Sequence, residues 1–178
     1  MTDYKPDFYD VLDRAGSPES SPGGLRAAKA ALRGWFEATH AKDLAAVRAM
    51  MNEDIVIQIP FSESGSTAEG HYRVYRGIEE CVGFWAAAFK AEGQSKGMMG
   101  TEITYSADGG IAFVEGRGSL LMANGRTYEN RYVMRFSFAG GKVSEVREYY
   151  NPIVSAYGFR RLIAGQFYLD SIETAPTA

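Results

Sequence analysis

Residues 128–152, YENRYVMRFSFAGGKVSEVREYYNP, hold the strongest candidate for chemistry, a carboxylate set inside a strand-like run. Side chains alternate along a strand, so Val146, Glu148 and Tyr150 fall on one side, and Val143, Glu145, Arg147 and Tyr149 on the other. Burial penalises an ionised carboxylate, so an inward Glu148 is driven toward a pKa at which it can take or give a proton near neutrality. A buried ion pair with Arg117, or with an arginine of another strand, would explain the same placement, and the pattern leaves both readings open. In the run 126–138, Tyr128, Asn130, Tyr132, Met134, Phe136 and Phe138 share the apolar face, opposite Thr127, Glu129, Arg131, Val133 and Arg135. Tyr128 and Asn130 are polar exceptions on that face, and buried polar groups must find partners or bind a ligand. They are candidates, with Tyr132, to orient a substrate or stabilise charge on its oxygen.

A second group lies in the polar-to-aromatic loop 62–75, SESGSTAEGHYRVY, and loops of this length are disproportionately functional. His71 is either a proton-transfer group at the mouth of a pocket or a solvated loop histidine. Tyr72 and Arg73 are candidate substrate contacts, and Arg73 or Arg76 would suit a phenolate or carboxylate. Either arginine could instead cap a helix or pair with Glu79 or Glu80. Trp35 and Trp85, on apolar helical faces, complete the candidate binding residues, whereas His40 reads as a surface residue. No His is spaced with Asp or Glu for a metal, and the chain shows neither a phosphate-cradling glycine loop nor a nucleophile elbow. The expectation is chemistry with no metal and no cofactor.

The elements that must position these residues come in two blocks. Leu25, Ala28, Leu32, Trp35 and Phe36 recur at helical spacing after a Ser21-Pro22 start signal, and Asp43 caps a short second helix carrying Leu44, Val47, Met50 and Met51. The strand IVIQIP follows. A third helix presents Ile78, Cys81, Val82, Trp85 and Phe89 until Gly93, and the loop before it has room for an edge strand near its end. Four strands are then predicted over 98–106, 111–122, 126–138 and 143–150, joined by glycine turns as hairpins. Gly116 and Gly118 share an inward face, either leaving space inside or letting the sheet curl. A short helix opened by Asn151-Pro152 comes last. Helices followed by a meander indicate an α+β domain in which three N-terminal helices cover a curved antiparallel sheet, making a cone open at one end. The predicted organisation is an N-terminal extension over 1–24 that stays out of the core, a single domain over 25–152, and a C-terminal segment over 153–178 that covers the pocket or a partner subunit.

Composition narrows the function classes. The chain of 178 residues carries a formal net charge of −3 and gathers no basic patch, so nucleic acid is not an expected partner. A single cysteine, Cys81, excludes an intrachain disulfide and fits helix packing. The polar N-terminus lacks the order of a signal peptide and no apolar run approaches the roughly 18 residues of a membrane span. A soluble, cytoplasmic protein with no membrane partner is expected. Aromatic residues make up 13% of the chain, with 11 Tyr and 10 Phe, which suits a pocket or an oligomer interface beyond ordinary core packing.

The stretch GRTYENRYVMRFSFAGGKVSEVREYYNP resembles the SnoaL-like and phenazine-biosynthesis A/B-like branches of the nuclear transport factor 2-like superfamily. KDLAAVRAMMNEDIVIQIPF is similar to the second helix and first strand of that superfamily, and RGIEECVGFW to its third helix, so the resemblance spans about residues 25–150. It implies a cone-shaped α+β barrel, a homodimer or homotrimer, and a small hydrophobic or aromatic molecule bound inside. Glu148 falls where phenazine-type members carry an acid-base glutamate and limonene epoxide hydrolases an essential aspartate. Departures matter too. Trp35 and Ile59 stand where ketosteroid isomerases carry a tyrosine and a base aspartate, and Gly116 and Gly118 where epoxide hydrolases carry charged partners. Phe84 and Ala88 replace the polar ligands of phenazine-type members, which implies a more apolar substrate. The resulting expectation is a cofactor-independent lyase, cyclase or isomerase in which Glu148 moves a proton on an aromatic, phenolic or polyketide-like substrate, with Tyr128 and His71 assisting. Families of this kind include lyases of lignin-derived diaryl compounds. The alternatives are a non-catalytic binding or assembly module and an epoxide hydrolase-like enzyme.

Overall fold

The computed structural model describes residues 12, 23–66, 68 and 70–172. Helix α1 (Gly23–His40) buries Leu25, Ala28, Leu32 and Trp35, the stripe that helical spacing predicts. Helix α2 (Leu44–Ala49) is capped by Asp43, whose side chain accepts the Ala46 N–H at 3.0 Å. Strands β1 (Met51–Ile59) and β2 (Arg73–Arg76) precede helix α3 (Gly77–Ala91). The chain continues through β3 (Glu92–Tyr105), β4 (Ile111–Met122), β5 (Thr127–Ala139) and β6 (Lys142–Tyr150) into helix α4 (Pro152–Phe159). Asn151 caps α4 by accepting the Ile153 N–H, with Pro152 in the first turn.

One six-stranded sheet has the order β2-β1-β6-β5-β4-β3, antiparallel throughout except where β1 runs parallel to β6. The sheet is curved and unclosed, and the helices cover its concave face, so the expected cone is present. The core gathers Trp35 of α1, Ile55 and Ile57 of β1, and Ala112, Val114 and Phe136 of β4 and β5. Three register shifts interrupt the β3–β4 ladder between Glu92 and Glu102, irregularities of the kind that bend an edge strand. Among the described residues no helix is long and apolar enough to cross a membrane.

Four expectations need correction. Leu12, in the stretch predicted to stay out of the core, is 1% exposed and packs in the main hydrophobic cluster. The third strand begins at Glu92 rather than residue 98, because α3 ends by passing directly into extended backbone at Glu92. Val143, predicted outward, is fully buried, because the register shift between Ser137 and Phe138 lets Val143 pair with Phe138 out of step with the rest of β6. Gly116 leaves no space inside, since the Met98 methyl fills the position its side chain would take. The Ser21-Pro22 start signal lies outside the described residues.

Candidate active site

Two chambers lie between the helices and the concave face of the sheet. The first, about 180 Å³, is lined by Phe36, Trp85, Met98 and Met134, with His40, Lys42 and Ser119 among its polar groups. The second, about 380 Å³, is lined by Tyr75, Phe84, Tyr128, Tyr150, Arg73 and Arg161, with the exposed Glu80 also on its wall. Trp85, Glu92, Tyr132 and Glu148 line both, and so form the junction between them.

Glu148 stands opposite Met134 in the β5–β6 ladder, on the inward face that alternation predicts. Among the described residues its carboxylate accepts no hydrogen bond and lies within 4.0 Å of no cation, so the buried ion pair is not formed. Arg117 is on the exposed side and donates to Met99 Sδ at 3.4 Å. Burial pushes the Glu148 carboxyl up to about 7, with the positive charge of Arg73 opposing, Glu92 adding to the rise, and Arg161 opposing. On the outer face the half-buried Glu145 is bound by Arg135 at 2.6 Å and Arg147 at 2.8 Å; burial acts to raise its pKa, but the two arginines prevail and hold it below the ordinary carboxylate range.

Glu92 was not foreseen from sequence. It sits where α3 turns into β3, and burial pushes its carboxyl up to about 7 against the charge of Lys42. Like Glu148, it accepts no hydrogen bond on its carboxylate from any described residue. Lys42 fixes this corner: its ammonium donates to the carbonyls of Phe89, Glu92 and Gly93, at 3.4, 2.6 and 2.9 Å, and so satisfies backbone acceptors that the end of α3 leaves open.

The tyrosines form a connected group. Tyr132 donates to the Tyr128 hydroxyl oxygen at 3.0 Å, and Asn130 Nδ2 donates to the same oxygen at 3.1 Å. Asn130 is itself locked by the backbone, donating to Asn151 O and accepting the N–H groups of Asn151 and Arg131. With both bonds arriving at its oxygen, Tyr128 has its own proton free of any described acceptor, at the wall of the second chamber. Burial holds the Tyr128 and Tyr132 hydroxyls well above the ordinary tyrosine range and pushes Tyr150 up to about 12, so all three are O–H donors at neutral pH.

Arg73 and Arg161 are held by Glu63, a 7%-exposed carboxylate in the loop after β1. Glu63 accepts from Arg161 Nη1 at 3.0 Å and from the Ser155 hydroxyl, and lies 3.3 Å from Arg73 Nη2, which also donates to the Tyr150 hydroxyl. Burial acts to raise its pKa, but the Ser155 hydrogen bond and the two arginines prevail and hold it below the ordinary carboxylate range. Through Glu63 the loop, β2, α4 and the following segment are tied together, so Phe159 and Arg161 close the second chamber from the same chain.

Of the residues predicted from sequence, Glu148, Tyr128, Tyr132, Arg73 and Trp85 meet around these chambers. Four do not reach them. Trp35, 2% exposed, lies one layer behind, its ring 5.6 Å from that of Trp85. Asn130 braces Tyr128 rather than facing a ligand. Tyr72 lines neither chamber and its hydroxyl lies 3.4 Å from Gln58 Oε1, while His71 is exposed and lines neither. His40, read as a surface residue, is exposed and also lines the first chamber. Among the described residues no group of three His, Cys, Asp or Glu side chains is placed to hold a metal.

A helix-covered curved sheet enclosing a cavity is the nuclear transport factor 2-like architecture. The chain belongs to the SnoaL-like domain family, whose model matches residues 32–146 and ends two residues before Glu148. A provisionally named isomerase from Bacillus subtilis superposes with a TM-score of 0.67 at 18% identity, over 80% of this chain and 99% of that one. A provisionally named polyketide cyclase from Xanthomonas campestris pv. campestris gives 0.59 at 17% identity, over 72% and 93%. A phenazine biosynthesis-related protein from Pseudomonas aeruginosa gives 0.59 at 16% identity, over 96% and 99%. These likenesses establish the fold. No curated protein matches the sequence.

Proposed function

We propose that the protein is a cofactor-independent acid-base enzyme of the isomerase or cyclase kind, acting on a small aromatic, phenolic or polyketide-like molecule held across the two chambers. The observation that carries this reading is the Glu148 carboxylate, half-buried on the wall of both chambers, without a hydrogen-bond donor among the described residues, and held by desolvation near the pKa at which a group can both take and give a proton at neutral pH. A structural acid in such surroundings would be paired, as Glu63 is. The aromatic and methionine walls of both chambers suit a flat apolar ligand, and the Tyr128 O–H can donate to an oxygen that gains charge as Glu148 removes a proton from carbon. The family and the isomerase and cyclase names of two structural neighbours lend support to an enzyme of this kind. Two chambers joined at the proton-transfer residue also suit a two-ring substrate, so a lyase of diaryl compounds belongs to the same reading.

The test is deuterium exchange. The protein is incubated in D2O with 2-tetralone, a two-ring ketone with acidic protons beside its carbonyl, and loss of those protons is followed by NMR. Exchange should exceed the buffer rate in the wild type and fall by about 10²-fold or more in Glu148→Gln. Equal rates in the two proteins would sink the acid-base role of Glu148.

A further inference from the structure

Glu148 is not alone at the junction, and a proton transfer from carbon needs a destination for the electron pair it releases. If that pair ends on oxygen, a second group should supply a proton there. We propose that Glu92 is this second catalytic residue: Glu148 takes a proton from a carbon of the substrate while Glu92 gives one to an oxygen of the same molecule. The inference rests on the reading of Glu148 as a base.

The geometry argues for it. Glu92 and Glu148 come from opposite ends of a four-strand span, β3 and β6, yet both line both chambers, so one ligand crossing the junction touches each. Neither carboxylate accepts a hydrogen bond from a described residue, which leaves both available to a ligand. Trp85 Nε1, on a residue lining the same junction, is likewise a buried polar atom without a partner among the described residues. Arg73 and Arg161 act on Glu148 and favour its ionised form, whereas Lys42, the cation among the described residues that acts on Glu92, already serves three carbonyls. Repulsion between two carboxylates facing one cavity disfavours ionising both, so the pair holds one proton between them, and the proposed step starts from the state in which Glu92 carries it.

The step balances without a co-reactant. The C–H bond breaks toward Glu148, its electron pair becomes a π bond, the electrons displaced go to oxygen, and that oxygen takes the Glu92 proton. Return of one proton from Glu148 to Glu92 through solvent resets the pair. The substrate class is therefore a carbon acid whose oxygen lies two bonds from the carbon that loses its proton. A ketone becoming an enol meets that description.

A series of 1,2-benzisoxazoles tests the couple, because a base removes the C3 proton while the N–O bond breaks to give a 2-cyanophenol. The leaving oxygen needs a proton more as its phenol becomes less acidic, from the 5-nitro through the unsubstituted to the 5-methoxy compound. Wild-type turnover, measured by absorbance, should vary weakly along the series. Glu92→Gln should lose little on the 5-nitro compound and about 10²-fold on the 5-methoxy compound, the size of a general-acid contribution. Glu92→Asp should restore the wild-type pattern, and Glu148→Gln should lose activity equally on every member. A Glu92→Gln loss that is absent, or equal on all three, overturns the inference, as does a wild type that exchanges 2-tetralone but turns over no benzisoxazole. Failure of 2-tetralone exchange to depend on Glu148 would instead remove the reading beneath it.

Discussion

Glu92 and Glu148 face one chamber junction, and negative charge on Glu92 raises the carboxyl pKa of Glu148. Both groups have folded-state pKa values near 7, above their ordinary value of 4.5, so the folded protein binds protons that the unfolded chain has released. The sign follows: their favourable contribution is complete below about 4.5 and is lost as pH rises through 7. Denaturant unfolding should therefore show stability falling between pH 5.5 and 8. Glu148→Gln should flatten that fall and exceed the wild type at pH 8 by an amount on the order of 3 kcal/mol. A variant no more stable than wild type at pH 8 would contradict the burial of an unpaired acid.

Tyr128 carries two incoming hydrogen bonds and keeps its own proton for the second chamber. Tyr128→Phe removes an acceptor from Asn130 and Tyr132 and a donor from the ligand. The protein should lose roughly 1–3 kcal/mol of stability from the stranded Asn130 and Tyr132 donors. Its exchange of 2-tetralone should drop by about 10²-fold in kcat with little change in KM, since the hydroxyl acts on charge that develops during the reaction. A rise in KM alone would assign Tyr128 to ground-state binding.

Period-two alternation was enough to find Glu148, Tyr128 and Tyr132, because β5 and the end of β6 are regular where they pair, Met134 with Glu148 and Tyr132 with Tyr150. The same rule misplaced Val143 one residue beyond a register shift, and hid Glu92 among three such shifts in β3. Parity carries no information across a bulge, and Gly93 reads as a helix stop rather than as the second residue of a strand. Glu63 and Arg161 were illegible for another reason. Their partners are distant in sequence, Ser155 being 92 residues from Glu63 and Arg161 98, and nothing local signals such a clamp. Local pattern also favoured His71, whose type fits proton transfer, although the loop holds it exposed.

The Glu63 clamp makes a prediction of opposite pH sign. Its carboxyl is held below the ordinary range, so its contribution is present above about 4.5 and is lost as pH falls through its lower folded value. Glu63→Ala would leave Arg73 and Arg161 without their shared counter-ion beside the second chamber. Breaking a buried pair by removing one partner costs about 3–5 kcal/mol. Glu63→Ala should therefore melt well below the wild type at pH 7, with a smaller gap in acid. Limited proteolysis should also cut after residue 159, where α4 and the segment it leads into lose their tie to the loop. An unchanged melting point would show that the clamp contributes nothing.

Two glycines that line different chambers should respond oppositely to alanine. A methyl at Gly118 on β4 would stand 3.0 Å from Tyr132 Cε2, tighter than van der Waals contact, so the ring that occupies the junction must move. Gly83, in the middle of α3, has open space in front of it where it lines the second chamber. Gly118→Ala should cost about 1–3 kcal/mol and disturb the Tyr132–Tyr128 hydrogen bond, lowering 2-tetralone exchange. Gly83→Ala should raise stability by about 0.5–1 kcal/mol, because alanine forfeits less backbone entropy in a helix, while its methyl intrudes on the second chamber. Melting curves decide the first contrast. Affinity for a bulky two-ring ligand decides the second, and it should weaken in Gly83→Ala if ligands enter beneath α3. A Gly83→Ala protein that is stabilised yet binds such ligands as the wild type does would place them in the first chamber alone.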